Sequence, residues 1–155
     1  EARARYEAEG RLAGPDSVTR RYAKYAKAMV NVGRGGAAAF GRTAGHPLEF
    51  VPDVDPLALR PGDTLRVRLL YRGAPLDGIR VHAGTAPRGG TRAQDWSFTT
   101  DSVGAFAVPI VLGGLWNVRA IHVVPADSGS GADWDTHWAS LVFASRSRAV
   151  SGAPR

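Results

Sequence analysis

The side chains with chemistry to offer are four histidines, His46, His82, His122 and His137, and the acidic run around the last of them, Asp133-Trp134-Asp135-Thr136-His137-Trp138. Imidazole nitrogens and carboxylate oxygens together suit a hard or borderline divalent cation. A metal site written on one helix places two histidines at neighbouring positions of a single face, and no two of these four are so spaced. If the strands that carry them are neighbours, His122, His137 and Asp135 can meet, and they are the metal candidates. Since no ligand spacing supports such a site, the adopted expectation is a structural role for each, with no metal and no cofactor. Nucleophilic catalysis has less to stand on. Ser140, His122 and Asp135 supply the residue types of a triad, but there is no G-x-S-x-G elbow and Ser140 falls within a strand. The absence of cysteine removes thiol catalysis, disulfides and thiolate metal sites together. The remaining carboxylates are scattered, mostly in turns, and the chain is read as non-enzymatic.

Binding is the alternative. Lys and Arg number 20 against 14 Asp and Glu, a net charge of +6, carried almost entirely by arginine. Such an excess suits an acidic protein, lipid headgroups or nucleic acid; the plainer origin is the arginine-rich composition of a high-GC genome. The cations come in pairs, Arg20-Arg21 and Arg66/Arg68, with Lys24 and Lys27 nearby and Tyr22 and Tyr25 interleaving the first set; Arg80 lies on the outward face of the strand that follows. A groove for single-stranded nucleic acid uses such interleaving. No nucleic-acid-binding signature accompanies it, so a solvated strand face is expected and nucleic acid is not. Of the four tryptophans, Trp116 is expected inside. Trp134 and Trp138 are flanked by Asp and His and suit a contact surface, or else close the ends of the fold. The expected partner contacts are therefore Arg20, Arg21, Tyr22, Tyr25, Arg66, Arg68, Arg80, Trp134 and Trp138.

The elements that must position these residues are strands. Residues 1–19 form a peripheral arm of helical composition up to Gly10, broken by Gly14-Pro15. Residues 20–33 are ambiguous: Tyr22, Tyr25, Ala26, Met29 and Val30 fit helical spacing, while Tyr22, Ala26, Val30 and Val32 fit a strand face. Residues 34–46 read as a Gly/Ala loop and Leu48–Val51 as a short strand. From Leu57 to Ala83, Leu65, Val67 and Leu69 alternate with Arg66 and Arg68, and Ile79 and Val81 with Arg80 and His82. This reads as a hairpin with one dry face. Trp96–Thr100, the turn Asp101–Gly104 and Ala105–Leu112 read as a second hairpin, with Gly104 at positive φ. Leu115–Val124 and Trp134–Phe143 are the last strands, separated by a polar loop at 125–133. The result is an all-β, Ig-like or transthyretin-like antiparallel sandwich of about seven strands. It divides into an N-terminal arm at 1–19, the sandwich at 20–144 and a flexible tail at 145–155. No apolar run approaches the ~20 residues of a membrane span. The chain opens at Glu1 without a signal peptide, so processing, trimming or origin within a longer protein is expected.

The segments RRYAKYAKAMVNVG, LEFVPDVDPLALRPGDTLRVRLLYRGAPLDGIRVHA, WSFTTDSVGAFAVPIVLGGLWNVRAIHVVPA and DWDTHWASLVF resemble a bacterial family of secreted proteins of unknown function, often labelled as periplasmic components of nickel or cobalt uptake. The resemblance runs over about residues 20–143. It rests on a P-x-x-L-x-P-G-D entry (Pro56, Leu59, Pro61 to Asp63), a G-x-P-L-x-G turn (Gly73, Pro75, Leu76, Gly78), a T-D-x-x-G turn (Thr100, Asp101, Gly104) and a G-x-W strand entry (Gly114, Trp116). These turns also look like those of carboxypeptidase-regulatory and collagen-adhesin-B type sandwiches, which are transthyretin-like; Asp101 would then form a turn, not a catalytic site. Members of the family usually carry a further N-terminal half beginning at a His-Asp-aromatic sequence, which is not in this sequence. The leading expectation is a non-catalytic accessory or scaffolding subunit of an extracytoplasmic, membrane-associated assembly, such as a transporter or an electron-transfer or photosynthetic complex. Its partners would be protein subunits of that complex and a membrane surface, the membrane being reached through those partners or through a missing N-terminal segment. The alternatives are the nickel/cobalt-uptake component that the resemblance implies and a carbohydrate- or peptidoglycan-binding module using Trp134 and Trp138.

Overall fold

The computed structural model describes residues 18–32, 39–86 and 94–147; most of the expected arm, part of the Gly/Ala loop, the loop after Ala86 and the end of the tail lie outside them. Alternation builds the rest. In Thr64–Tyr71 (β3), Leu65, Val67 and Leu69 are buried and Arg66 and Arg68 exposed, because successive side chains of a strand leave on opposite faces. Gly114–Pro125 (β8) keeps the same rhythm, with Trp116, Val118 and Ala120 inside. Arg20–Ala28 (β1), Leu48–Pro52 (β2), Ala74–Pro75 (β4), Arg80–Ala86 (β5), Gln94–Thr99 (β6), Ala105–Pro109 (β7) and Trp134–Ser145 (β9) complete nine strands among the described residues.

The strands form two sheets. One has the order β1-β9-β8-β5-β6; in the other, β3 is central, with β2 on one edge and β4 and β7 on the other. Their apolar faces meet as Leu48, Phe50, Leu65, Val67, Leu69 and Val108 against Val81, Trp116, Val118, Leu141 and Phe143. Burying each such side chain contributes about 1.5–3 kcal/mol relative to leaving it exposed. Trp116 stacks on Trp96 at 5.7 Å, and its Nε1–H donates to the Leu112 carbonyl at 3.1 Å and to Ser145 Oγ at 3.2 Å. The chain is an all-β sandwich.

The in–out alternation of Leu57–Ala83 is as expected, but its pairing is not. β3 and β5 lie in different sheets. β3 instead turns at Arg72-Gly73, both at positive φ (50° and 83°), into the two-residue β4. Leu76 to Ile79 then carries the chain across the sandwich. The second expected hairpin divides in the same way, β6 joining β5 and β7 joining β3. A turn motif shows that the chain reverses, but not whether it returns beside itself or in the opposite layer. Between β6 and β7, Asp101 accepts hydrogen bonds from the N–H groups of Val103 and Ala105 at 3.0 and 2.8 Å, and Gly104 has φ of 71°.

The ambiguous segment is strand β1, and it joins β9 in parallel, so the sandwich is not wholly antiparallel. Its inward side chains are Ala23, Tyr25, Lys27 and Met29, whereas Tyr22, Ala26, Val30 and Val32 face out. The expected strand face is therefore the outer one. Pattern reading puts lysine in solvent, but Lys27 is 12% exposed and pairs with Glu49, itself 3% exposed. Lys27 Nζ also donates to the carbonyls of Arg42 at 2.9 Å and Phe50 at 3.0 Å, so its charge is fully coordinated beneath the strand.

A Cβ on Gly104 would stand 2.6 Å from the Leu69 carbonyl oxygen, whereas one on Gly129, also at positive φ (81°), meets nothing within 4 Å. Gly104→Ala is expected to cost more than the 1–2 kcal/mol left-handed penalty, about 3 kcal/mol, and Gly129→Ala about 1 kcal/mol, in urea unfolding.

Candidate functional site

At one end of the sandwich the inward face turns from apolar to polar. β9 runs Phe143, Leu141, Ala139 and then His137 and Asp135, and β8 runs Trp116, Val118, Ala120 and then His122. The ladder sets His122 directly opposite His137. Tyr71, the last residue of β3, reaches them from the facing sheet, with ring centroids 4.7 Å from His122, edge-on, and 5.3 Å from His137. From β1, Tyr25 stacks between His137 at 6.0 Å and His46 at 5.5 Å. The Tyr25 hydroxyl lies 3.3 Å from His137 Nδ1 and the Tyr71 hydroxyl 3.4 Å from Nε2. A neutral imidazole has one donor and one acceptor nitrogen, so one tyrosine donates to the ring and the other accepts from it.

Burial is the main reason that both histidines are harder to protonate than usual; for His122 the neighbouring His137 adds to it. Asp135 partly opposes this at His137, while Arg72 and Arg21 reinforce it. Asp135 is held below the ordinary carboxylate range by Arg21, whose Nε and Nη2 each donate to it at 2.7 Å. At Glu49 burial alone would raise the pKa, but Lys27 and the N–H groups of Ala44 and Gly45 outweigh it and lower the value.

The metal candidates thus come together only in part. His122 and His137 meet, but Asp135 is taken by Arg21. Among the described residues no three His, Cys, Asp or Glu side chains form a group able to hold a metal ion. Ser140 faces outward with Trp138 and Val142, on the opposite side of the sheet from His122 and Asp135, so the triad residue types do not assemble. Tyr71 and His46 were not legible as members of this cluster. The available signal for Tyr71 was its place in the Leu65, Val67, Leu69 alternation.

The outer face of the same sheet exposes several large apolar side chains. Across β1, β9 and β8 the register places Lys24, Trp138 and Ile121 in one row, and Ala28, Val142 and Asn117 in another. Tyr22 is 67% exposed, Leu115 55%, Ile121 45% and Trp138 40%. Lys24 Nζ sits 5.9 Å from the Tyr22 ring centre and 5.4 Å from that of Trp138, a cation held between two aromatic rings. The outward positions of these three strands carry no carboxylate; Arg119 is paired at 2.6 Å with Asp95 of β6.

The expected contact residues divide among several surroundings. Arg20, Tyr22 and Trp138 lie on this outer face, and Arg80 lies on it farther along, on β5. Arg66 and Arg68 face out from the opposite sheet, Arg68 bonded to Asp53 at 2.9 Å, so the two arginine groups form no single surface. Arg21 and Tyr25 belong to the histidine cluster. Trp134 is a correction to its expected surface position: it stands in the ladder between Arg20 and Pro125, with strands on both sides, and is 6% exposed.

Residues 3–124 match the family described as "Domain of unknown function (DUF4198)". The chain belongs to this family. The match to DUF4198 takes in β1 to most of β8 and stops before β9, so it covers Tyr25, His46, Tyr71 and His122 but not His137 or Trp138. A search of curated proteins found no match to the chain.

With both histidine pKa values lowered in the fold, the unfolded chain binds more protons as the pH drops through the ordinary value of 6.5. Stability is therefore complete above that value and declines as the pH falls toward the lowered ones. Urea midpoints measured from about pH 7 to about pH 5 should fall in the native chain, and His122→Gln, His137→Gln should flatten the decline. An unchanged slope would count against neutral, buried histidines.

Proposed function

We propose that this DUF4198 domain is a non-catalytic accessory subunit that acts by protein–protein contact in an extracytoplasmic, membrane-associated assembly. The observation that carries this reading is the outer face of the five-stranded sheet. Clustered exposed aromatic and aliphatic side chains mark contact surfaces, and interfaces concentrate aromatic residues with arginine while losing carboxylates from their centre. Tyr22, Trp138 and Ile121, with Arg20 on the same face and no outward carboxylate on their strands, have that composition. In fold terms the crossing turns at Leu76–Ile79 and Asp101–Gly104 favour a transthyretin-like or Ig-like sandwich. The extracytoplasmic setting comes from the resemblance to secreted proteins.

A second reading, a nickel- or cobalt-uptake component, draws on that resemblance and on the direct pairing of His122 with His137. Both nitrogens of His137 are met by tyrosine hydroxyls, so an ion would have to displace them. Calorimetric titration with nickel, cobalt and zinc separates the two readings. Micromolar binding abolished by His122→Ala, His137→Ala supports uptake, and its absence removes the basis for it.

A photo-crosslinking residue at Ile121, in native membranes, should capture a subunit that one at Arg66, on the opposite sheet, does not. Trp138→Ala should weaken co-purification by ~30-fold, the effect of losing a contact worth about 2 kcal/mol, with the melting temperature nearly unchanged. A domain that stays free and monomeric in those membranes would overturn the proposal.

A further inference from the structure

Among the described residues, strand β1 is one edge of the five-stranded sheet and β6 the other, and no described strand pairs with the free side of β1. In the other sheet the edges β2, β4 and β7 have five, two and five residues and each contains a proline, Pro52, Pro75 or Pro109, whereas β6, the other edge of the five-stranded sheet, has six residues. Short length and proline are how proteins blunt edges against unwanted pairing. β1 has nine residues, RRYAKYAKA, without proline or glycine, and its register with β9 is unbroken from Arg20 to Ala28.

Which main-chain groups are open follows from one bond. The N–H of Met29 donates to the Val142 carbonyl at 2.8 Å, so the odd-numbered residues of this strand direct their N–H and C=O toward β9. In an extended strand a residue's N–H and C=O leave on one side and its neighbours' on the other. Arg20, Tyr22, Lys24, Ala26 and Ala28 therefore present theirs to the free edge. The same five residues direct their side chains to the outer face.

Charge narrows what can pair there. Of the four cations in β1, Arg21 is bonded to Asp135 and Lys27 to Glu49. Arg20 and Lys24 have no carboxylate partner among the described residues. A second copy of β1 would bring the same two cations onto the same face, and facing like charges destabilise a strand pair. Opposite charges stabilise it.

We infer that β1 is a docking strand: it adds an extended segment of a partner protein to the five-stranded sheet, and that segment carries Asp or Glu at alternate positions, beside Arg20 and Lys24. Main-chain hydrogen bonds supply the attachment and the alternate side chains select the sequence. This deepens the proposed protein-contact role and rests on it.

The test uses the full chain and synthetic peptides as long as β1. One alternates Glu with Val; a second has Lys in place of Glu. Two further acidic peptides are N-methylated on one or the other set of alternate residues. In fluorescence anisotropy the acidic peptide should bind saturably, and the Lys peptide at least about tenfold more weakly. One N-methyl series should abolish binding and the other should not, because only alternate N–H groups of an added strand face β1. Ala26→Pro removes an N–H on the free edge and spares the bonds to β9, so it should abolish binding while the melting temperature stays close to that of the native chain. Lys24→Glu should reverse the peptide preference.

Absent binding, binding indifferent to both N-methyl series, or self-association of the chain that Ala26→Pro relieves would each overturn the inference. The N-methylated pair decides the matter on the unaltered chain if Ala26→Pro fails to fold. If Ala26→Pro keeps the crosslink from Ile121 while Trp138→Ala loses co-purification, the partner sits on the outer face without adding a strand. Strand addition then falls and the accessory-subunit reading stands.

Discussion

Lys27 and Glu49 meet beneath β1, and most of what distinguishes this sandwich depends on their pairing. Moving two charges out of water costs several kcal/mol per ion unless the remaining donors and acceptors are also satisfied. Here they are. Lys27 has the carbonyls of Arg42 and Phe50, and Glu49 has the N–H groups of Ala44 and Gly45. The pair ties β1, the segment before β2, and β2 itself into one network, so β1 has a defined depth and register. That placement brings Tyr25 between His46 and His137, turns Tyr22 and Lys24 outward, and leaves one edge of the strand without a described partner strand.

The basic character of the chain looks different once its cations are sorted. Arg21, Lys27, Arg68 and Arg119 each pair with a carboxylate. Those charges are spent within the fold. Arg20 and Lys24, without a carboxylate partner among the described residues, are left on a face that also exposes Tyr22, Trp138 and Ile121. The net charge of +6 is thus a poor guide to partners, whereas the position, among the described residues, of two cations without carboxylate partners beside a sheet edge is a specific one. The histidine cluster on the inner side of the same sheet is separate from that surface. Its imidazoles are packed against tyrosine rings and kept neutral by burial.

Strand existence was legible because period-two alternation is a local property. Leu65, Val67 and Leu69 against Arg66 and Arg68, or Trp116, Val118 and Ala120 against Leu115 and Arg119, assign both strand and face without any knowledge of neighbours. The Asp101–Gly104 turn was legible for the same reason, since its hydrogen bonds span only a few residues. Lys27 misled the pattern, because a lysine facing inward is intelligible only together with Glu49, 22 positions away. Trp134 misled it too: its flanking aspartates suggest solvent, but it stands within the β1-β9-β8 ladder and is 6% exposed.

The amino-acid sequence by itself determined that this chain is an all-β sandwich, where its main strands and turns fall, and which side chains of most strands face the core. These follow from short-range sterics and from the alternation of apolar and polar residues. Tertiary structure alone decided that β3 and β5 lie in opposite layers, that β1 runs parallel to β9, and that His122, His137, Tyr71 and Tyr25 gather at one end. Only the assembled sheet shows which cations are neutralised and which described strands lie at its edges. The physical reason is that pairing partners and charge compensation are set by contacts between residues far apart in the chain, to which local pattern is blind.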